Sequence, residues 1–165
     1  MLRLERNTPG SKYGDLIETH IVNGSIVPVE ITCSLLEQAM IKEIIKAKES
    51  GDHNFSGGKF LIDGFPRNQD NLEGWQRQMN DKVDVKFVLF FDCPKDLCIE
   101  RCVKRGQAGS GRSDDNPEAM SKRLNTYFND SLPIINYYDN LNLVRKIDAT
   151  RTPEEVYNDV RKLFS

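Results

Sequence analysis

The chain has 165 residues, of which 38% are hydrophobic and 29% charged, and this is the size of one globular domain able to bury a core. Its formal net charge of -2 supplies no overall positive field for nucleic acid or anionic lipid, so any phosphate binding must come from local arginine placement. No apolar run approaches the roughly 18 residues of a membrane helix, and no signal-peptide pattern occurs. These features predict a soluble intracellular protein.

The cysteines are predicted to be free thiols. None of the four (Cys33, Cys93, Cys98 and Cys102) forms a C-x-x-C pair, and the chain has only two histidines that could complete a metal site. Buried or half-buried thiols are therefore favoured over metal ligands.

The first third of the chain is predicted to be helical. A helix follows Gly10, with apolar residues at helical spacing until Asn23-Gly24. A longer helix begins near Pro28, because proline suits the first helical position, and it carries one apolar stripe as far as Ser50-Gly51. The polar residues 49 to 59 predict a surface loop.

The rest of the chain alternates predicted strands and helices. Apolar runs at Lys59–Asp63 and Val85–Asp92 each end in a carboxylate and are typical of buried parallel strands, and Leu143–Asp148 is a third candidate. Helices are predicted over 68–79, over 94–105, from 116 with a bend at Pro133, and from 152. The order strand, helix, strand, helix predicts an α/β fold with a parallel sheet, in a single domain over 1–165.

The run Asp63-Gly64-Phe65-Pro66-Arg67 follows the first predicted strand, and ligands of open α/β sheets bind at the carboxyl ends of strands. Gly64 permits close backbone approach, Arg67 offers a planar donor fork for phosphate, and Asp63 could hold a metal-bound water. By themselves these residues are equally compatible with a turn that ends a strand and carries a surface arginine.

A second cluster is formed by the glycine-bearing loop 106–115 and the arginines Arg105, Arg112 and Arg123. The loop could fold over a triphosphate, and the arginines could neutralise its charge. Taken alone, the loop is better interpreted as an exposed helix connection with solvated charges. Arg3 and Arg6 lie one helical turn apart, which by itself indicates a frayed, solvated end.

Together these runs resemble the nucleoside monophosphate kinases, which are adenylate kinase-like, in their UMP-CMP branch. The stretches that carry the resemblance are IVPVEIT from Ile26, FLIDGFPRNQDNLEGW from Phe60, VLFFDCP from Val88 and GRSDDN from Gly111. The resemblance covers nearly the whole chain. It implies a three-layer parallel sheet of the P-loop type and transfer of the γ-phosphate of ATP to UMP, CMP or dCMP, with Mg²⁺ as cofactor and the diphosphate and ADP as products.

The resemblance also assigns roles to residues. Those implied to hold the monophosphate and its base are Arg3, Ser25, Ile26, Val27, Gly64, Phe65, Pro66, Arg67, Asn71, Arg112 and Arg123. Those implied to act in catalysis are Arg67, Arg112, Arg123 and Asp63, with Asp63 meeting magnesium only through a bound water. Those implied to contact ATP are Arg105 and Arg151. Asn71 is implied to read the edge of the pyrimidine.

The family also implies how the chain is organised and what it meets. Residues 1–59 would form the monophosphate-binding part and its following loop, residues 105–116 the lid, and the remainder the core. The implied partners are UMP, CMP and ATP, with no nucleic acid and no membrane, in a monomer of the cytoplasm or also of the nucleus.

The sequence departs from the family at its most specific motif. The P-loop pattern G-x-x-x-x-G-K-[ST] is absent, since the nearest approach, Gly58-Lys59, has His53 in place of the leading glycine and Phe60 in place of the hydroxyl. We therefore expect the chain to lack the first, central strand of the sheet and the cradle for the ATP phosphates. Three hypotheses follow: a family enzyme whose sequence here begins late, a protein that binds the monophosphate without transfer, and a non-catalytic interaction fragment.

Overall fold

The computed structural model describes residues 1–22, 27–51, 58–109 and 117–164, apart from the side chains of Arg3, Ile21 and Val22. Its elements in chain order are α1 (Leu2–Arg6), α2 (Gly14–Val22), α3 (Val29–Glu49), α4 (Gln69–Met79), β1 (Val88–Asp92), α5 (Lys95–Gln107), α6 (Pro117–Thr126), a π-helical turn (Tyr127–Ser131), α7 (Leu132–Asn140), β2 (Val144–Asp148) and α8 (Pro153–Lys162). This confirms the predicted α/β class. Within the described ranges, no helix is both long enough and apolar enough to cross a membrane.

The chain divides into two compact units. The first comprises Met1–Pro66 and Asp70–Asp84, and the second comprises Arg67–Gln69 and Val85–Ser165. The sequence prediction of a single domain over 1–165 stays a prediction.

The described part of the first unit is helical around an apolar core. Helix α1 packs against α2, and Ile17 of α2 is buried against Val27 and the α3 residues Ile31 and Leu35. Ile31 and Leu35 are four positions apart, so they share one face of α3. Helix α3 begins one residue later than expected, because Pro28 caps it rather than occupying its first turn.

Helix α4 presents a buried face within the same unit, formed by Asn71, Leu72, Gly74, Trp75 and Met79. The ring of Trp75 lies 5.7 Å from the ring of Phe65. The buried face of this helix therefore combines one amide with otherwise apolar residues.

The second unit holds a parallel sheet that consists, in the described residues, of β1 and β2. Val88 pairs with Val144 at one end of the register and Asp92 with Asp148 at the other. Helix α7 lies against both strands, and α8 packs against β2. The bend expected at Pro133 takes another form, because a π-helical turn joins α6 to α7. Pro133 sits in the first turn of α7, where its missing amide hydrogen costs no hydrogen bond within that helix.

The predicted strand Lys59–Asp63 is wrong. These residues have no regular secondary structure, and Phe60 and Leu61 are 38% and 81% exposed instead of buried. A strand is stabilised by a hydrogen-bonded neighbour, and in the described part of the chain the sheet offers none beside this run. An apolar sequence alone does not supply that neighbour.

Candidate functional site

The turn after Asp63 adopts a backbone conformation that its glycine and proline favour. Gly64 has a φ of +71°, a conformation that side-chain-bearing residues rarely adopt, and the Phe65–Pro66 peptide bond is cis. Asp63 and Gly64 are exposed, whereas Phe65 is partly buried against Trp75. The turn thus exposes its carboxylate while its aromatic side chain packs on α4.

Arg67 begins the second unit with an exposed side chain. Its backbone carbonyl accepts a hydrogen bond of 2.8 Å from the Ser131 hydroxyl, in the π-helical turn. This bond fixes the main chain at Arg67, so the predicted phosphate-binding guanidinium projects from an anchored backbone.

The first unit contains two of the residues predicted to bind the base. Val27 belongs to the apolar cluster around Ile17. Asn71 is 8% exposed and is the one buried residue with an amide or charged side chain in the described part of the chain. A buried amide requires hydrogen-bond partners and so occupies a defined position. Ser25, Ile26 and the side chain of Arg3 lie outside the described residues.

The predicted lid arginines are described only in part. Arg105 on α5 approaches the sulfur of Cys102 at 3.8 Å, and Arg123 on α6 approaches the sulfur of Met120 at 3.6 Å. Both side chains are exposed, and their helices pack against each other. Arg112 lies outside the described residues, as does most of the predicted lid.

Arg151, a predicted ATP contact, belongs to a network of charges. Its guanidinium hydrogen-bonds to Asp159 and lies 3.7 Å from the carboxylate of Asp148, while its buried Nε finds no hydrogen-bond partner among the described residues. The hydrogen bond to Asp159 raises the pKa of Arg151, and the bonds from Lys162 and Arg151 lower the pKa of Asp159 to about 2. With two carboxylates beside it, this guanidinium is better suited to a base or sugar than to a phosphate.

Arg101 of α5 is a structural contact that no sequence pattern indicated. Its guanidinium donates hydrogen bonds to the carbonyls of Ala149, Thr150 at 2.8 Å and Arg151 at 3.3 Å, which follow β2. These partners lie 48 to 50 positions away in sequence, so no local pattern could have revealed the contact. Arg101 holds the segment that carries Arg151.

An ion pair across the two strands was likewise not indicated by any sequence pattern. Lys146 Nζ lies 2.8 Å from a carboxylate oxygen of Asp92, and this contact raises the pKa of Lys146. Both residues line a cavity of about 330 Å³ together with Tyr127, whose pKa is raised by burial and next by Asp92. The ion pair crosses between strands at the carboxyl end of the sheet.

The four cysteines are free, as predicted. Burial raises the pKa of Cys98 to about 11, and the hydrogen bond with Cys93 adds to the effect.

The described residues contain no group of three potential metal ligands. Magnesium bound to a nucleotide is held mainly by the phosphates, keeps several waters and needs only one or two carboxylates from the protein. The exposed carboxylate of Asp63 fits this requirement.

The comparison with family models matches residues 1–143 to the family described as adenylate kinase. The chain therefore belongs to the adenylate kinase family, as its motifs predicted. Within that family it is 52% identical over 164 residues to UMP-CMP kinase of Bos taurus, 54% to that of Xenopus laevis and 51% to that of Homo sapiens. Each match covers 99% of this chain and 80% or 81% of the relative. By its relatives, the chain is a nucleoside monophosphate kinase.

Proposed function

We propose that this chain serves the transfer of the γ-phosphate of ATP to a pyrimidine nucleoside monophosphate (UMP, CMP or dCMP). The observation that carries the proposal is the identity of 51% to 54% with enzymes named UMP-CMP kinase over 99% of the chain. An identity that extends along nearly all of the chain supports a shared reaction as well as a shared fold. The acceptor nucleotide is the finer part of the proposal.

The monophosphate is recognised through its base and its charge. The buried amide of Asn71 offers both a donor and an acceptor, which a pyrimidine edge requires. Ser25, Ile26 and Val27 line the base and ribose, while Arg3 and Arg67 neutralise the phosphate. The turn Gly64-Phe65-Pro66 lets the backbone approach the ligand, because Gly64 carries no side chain there.

Phosphoryl transfer asks the protein mainly for positioning and charge. Arg67, Arg112 and Arg123 place positive charge around the transferring group. Asp63 would hold magnesium through a bound water, and the ion would neutralise phosphate charge. Closure of residues 105–116 excludes water that would otherwise hydrolyse ATP.

On the donor side, Arg105 and Arg151 contact ATP. The carboxylates beside Arg151 favour a role at the adenine or ribose, whereas the exposed Arg105 remains suited to either the base or a phosphate.

A second candidate is binding of the monophosphate without transfer. It draws on the residues proposed to hold the monophosphate, because Val27, Arg67 and Asn71 lie in the described part of the chain.

A coupled assay and a thermal-shift titration of the full 165-residue chain separate the two candidates. Under both, CMP and UMP raise the unfolding temperature, and Arg67→Ala weakens this binding by about tenfold or more because a charged hydrogen bond to phosphate is lost. Arg145→Ala, an exposed arginine bonded to the carbonyls of Asn142 and Val144, is the matched control and leaves binding unchanged.

Transfer from ATP with magnesium supports the kinase, and binding without transfer supports the second candidate. A chain that binds no pyrimidine monophosphate overturns both.

A further inference from the structure

Gly74 lies where no side chain fits. A Cβ atom at this position would stand 2.4 Å and 2.5 Å from the two methyl carbons of Val29 and 3.0 Å from its Cβ. Gly74 is buried in the middle of α4, and Val29, the first residue of α3, is only 1% exposed. The two helices therefore approach each other through a glycine.

The valine cannot easily yield to an added methyl group. Its two methyl carbons branch directly from Cβ, which restricts the side chain to few rotamers, and the surrounding core is packed. Glycine is disfavoured inside helices relative to alanine, so its presence here has a packing reason. Two partly exposed ion pairs also join α3 to α4 and to the residues just after it, Arg77 with Glu30 at 3.2 Å and Lys82 with Glu37 at 2.8 Å.

The close approach fixes Asn71. This residue precedes Gly74 by three positions, on the same buried face of α4. Val29 in turn follows Val27, proposed above to line the base, by two positions. The distance between α4 and Val29 therefore sets the distance between the Asn71 amide and the segment against which the base would lie.

We propose that Gly74 is a positioning residue that sets which base the monophosphate site accepts, and this inference rests on the proposed function. Restoring ordinary van der Waals contact, which begins at 3.4 Å, from the 2.4 Å that alanine would create needs a separation of about 1 Å. Such a shift breaks hydrogen bonds to a pyrimidine edge, because these weaken steeply with distance and angle. It also widens the space and so favours the larger purine.

The test measures CMP and AMP affinity by calorimetry on the full chain. In Gly74→Ala, the ratio of CMP to AMP affinity falls by about tenfold, the equivalent of one hydrogen bond. Val29→Ala removes the two shortest of the three nearest contacts and keeps the 3.0 Å contact to the Val29 Cβ, so Gly74→Ala with Val29→Ala recovers most of the wild-type ratio. Glu73→Ala, an exposed change on the same helix, leaves the ratio unchanged.

The outcomes are distinct. Wild-type selectivity for CMP combined with an unchanged ratio in Gly74→Ala overturns this inference alone, even where thermal stability falls. A reduced ratio that the second substitution does not rescue overturns it as well. If Gly74→Ala fails to fold, Val29→Ile, which enlarges the side chain that faces Gly74, replaces it: a folded chain with a reduced ratio supports the inference, and a folded chain with the wild-type ratio overturns it. A wild-type chain that binds neither nucleotide overturns the proposed function, and the inference with it.

Discussion

The two compact units bury their side chains to different depths. The largest fully buried side chains of the described residues are Ile17, Leu72, Met79, Val29 and Cys33, and all belong to the first unit. In the second unit, α5 and α8 bury no residue completely, and β1 is half-buried or exposed. There, caps, ion pairs and the Arg101 contacts join the elements. The proposed base-reading part therefore has the more completely buried core, whereas in the part with the proposed ATP residues polar contacts add to a smaller apolar core of Met120, Leu124, Ile134, Tyr138 and Ile147.

The largest effect is expected from Leu72→Ala in the first unit. Leu72 is 2% exposed, so the substitution leaves a cavity and lowers the free energy of unfolding by about 2–5 kcal/mol. Urea denaturation measures the loss. Phe91→Ala in the second unit is the control, because Phe91 is 48% exposed and its truncation costs clearly less. Equal losses would contradict the difference in burial between the units.

The next effect concerns Arg101→Ala, which leaves the carbonyls of Ala149, Thr150 and Arg151 without their guanidinium donor. We expect a loss of about 1–3 kcal/mol, typical for hydrogen bonds from a charged group. Hydrogen exchange at residues 149–151 should accelerate more than exchange in α3. Arg101→Lys serves as the control and recovers little, because a single ammonium cannot reproduce the planar fork. Unchanged exchange after Arg101→Ala would show that polar contacts do not hold this segment.

A smaller effect is expected at the start of α8, where Thr152 and Glu155 form a reciprocal capping box. Thr152→Ala removes the acceptor for a first-turn amide and costs about 1 kcal/mol. Thr126→Ala is the matched control, because the Thr126 hydroxyl only donates back to the carbonyl of Lys122 within its own helix. Chemical denaturation distinguishes the two. If Thr126→Ala lowers the free energy of unfolding more than Thr152→Ala does, the capping box does not contribute the expected stability to the second unit.

The smallest effect depends on pH. Lys162 and Arg151 lower the folded-state pKa of Asp159 to about 2, below the usual value of about 4. Stability from this carboxylate is therefore complete above about pH 4 and is lost as the pH falls towards about 2. Carbon-detected NMR titration of Asp159 measures the shift. In Asp159→Asn, this part of the acid dependence should disappear, and an ordinary pKa in the wild type would refute the network around Arg151.

Local chemistry made much of the fold predictable. The apolar spacing of α2 and α3 and the Thr-Pro-Glu-Glu start of α8 all produce elements within a few residues of the predicted bounds. The reason is that helix formation, capping and burial of one face depend on neighbours a few positions apart. The family motifs added the function class, which the comparisons confirm.

Long-range partners explain what could not be predicted. Lys59–Asp63 has the composition of a buried strand, yet its conformation depends on a neighbouring strand. The contacts of Arg101 and the pairing of Lys146 with Asp92 join residues far apart in sequence. Glycine is disfavoured inside a helix, and the packing reason for Gly74, its contact with Val29, is not visible in the order of residues.

The sequence by itself therefore determined the α/β class, most helix bounds, the free thiols and the family, because each depends on local pattern or on motif order. Only the tertiary structure decided which apolar runs are buried, how Arg151 is neutralised and how closely α4 approaches Val29. Those properties arise where side chains from distant positions compete for the same space or charge.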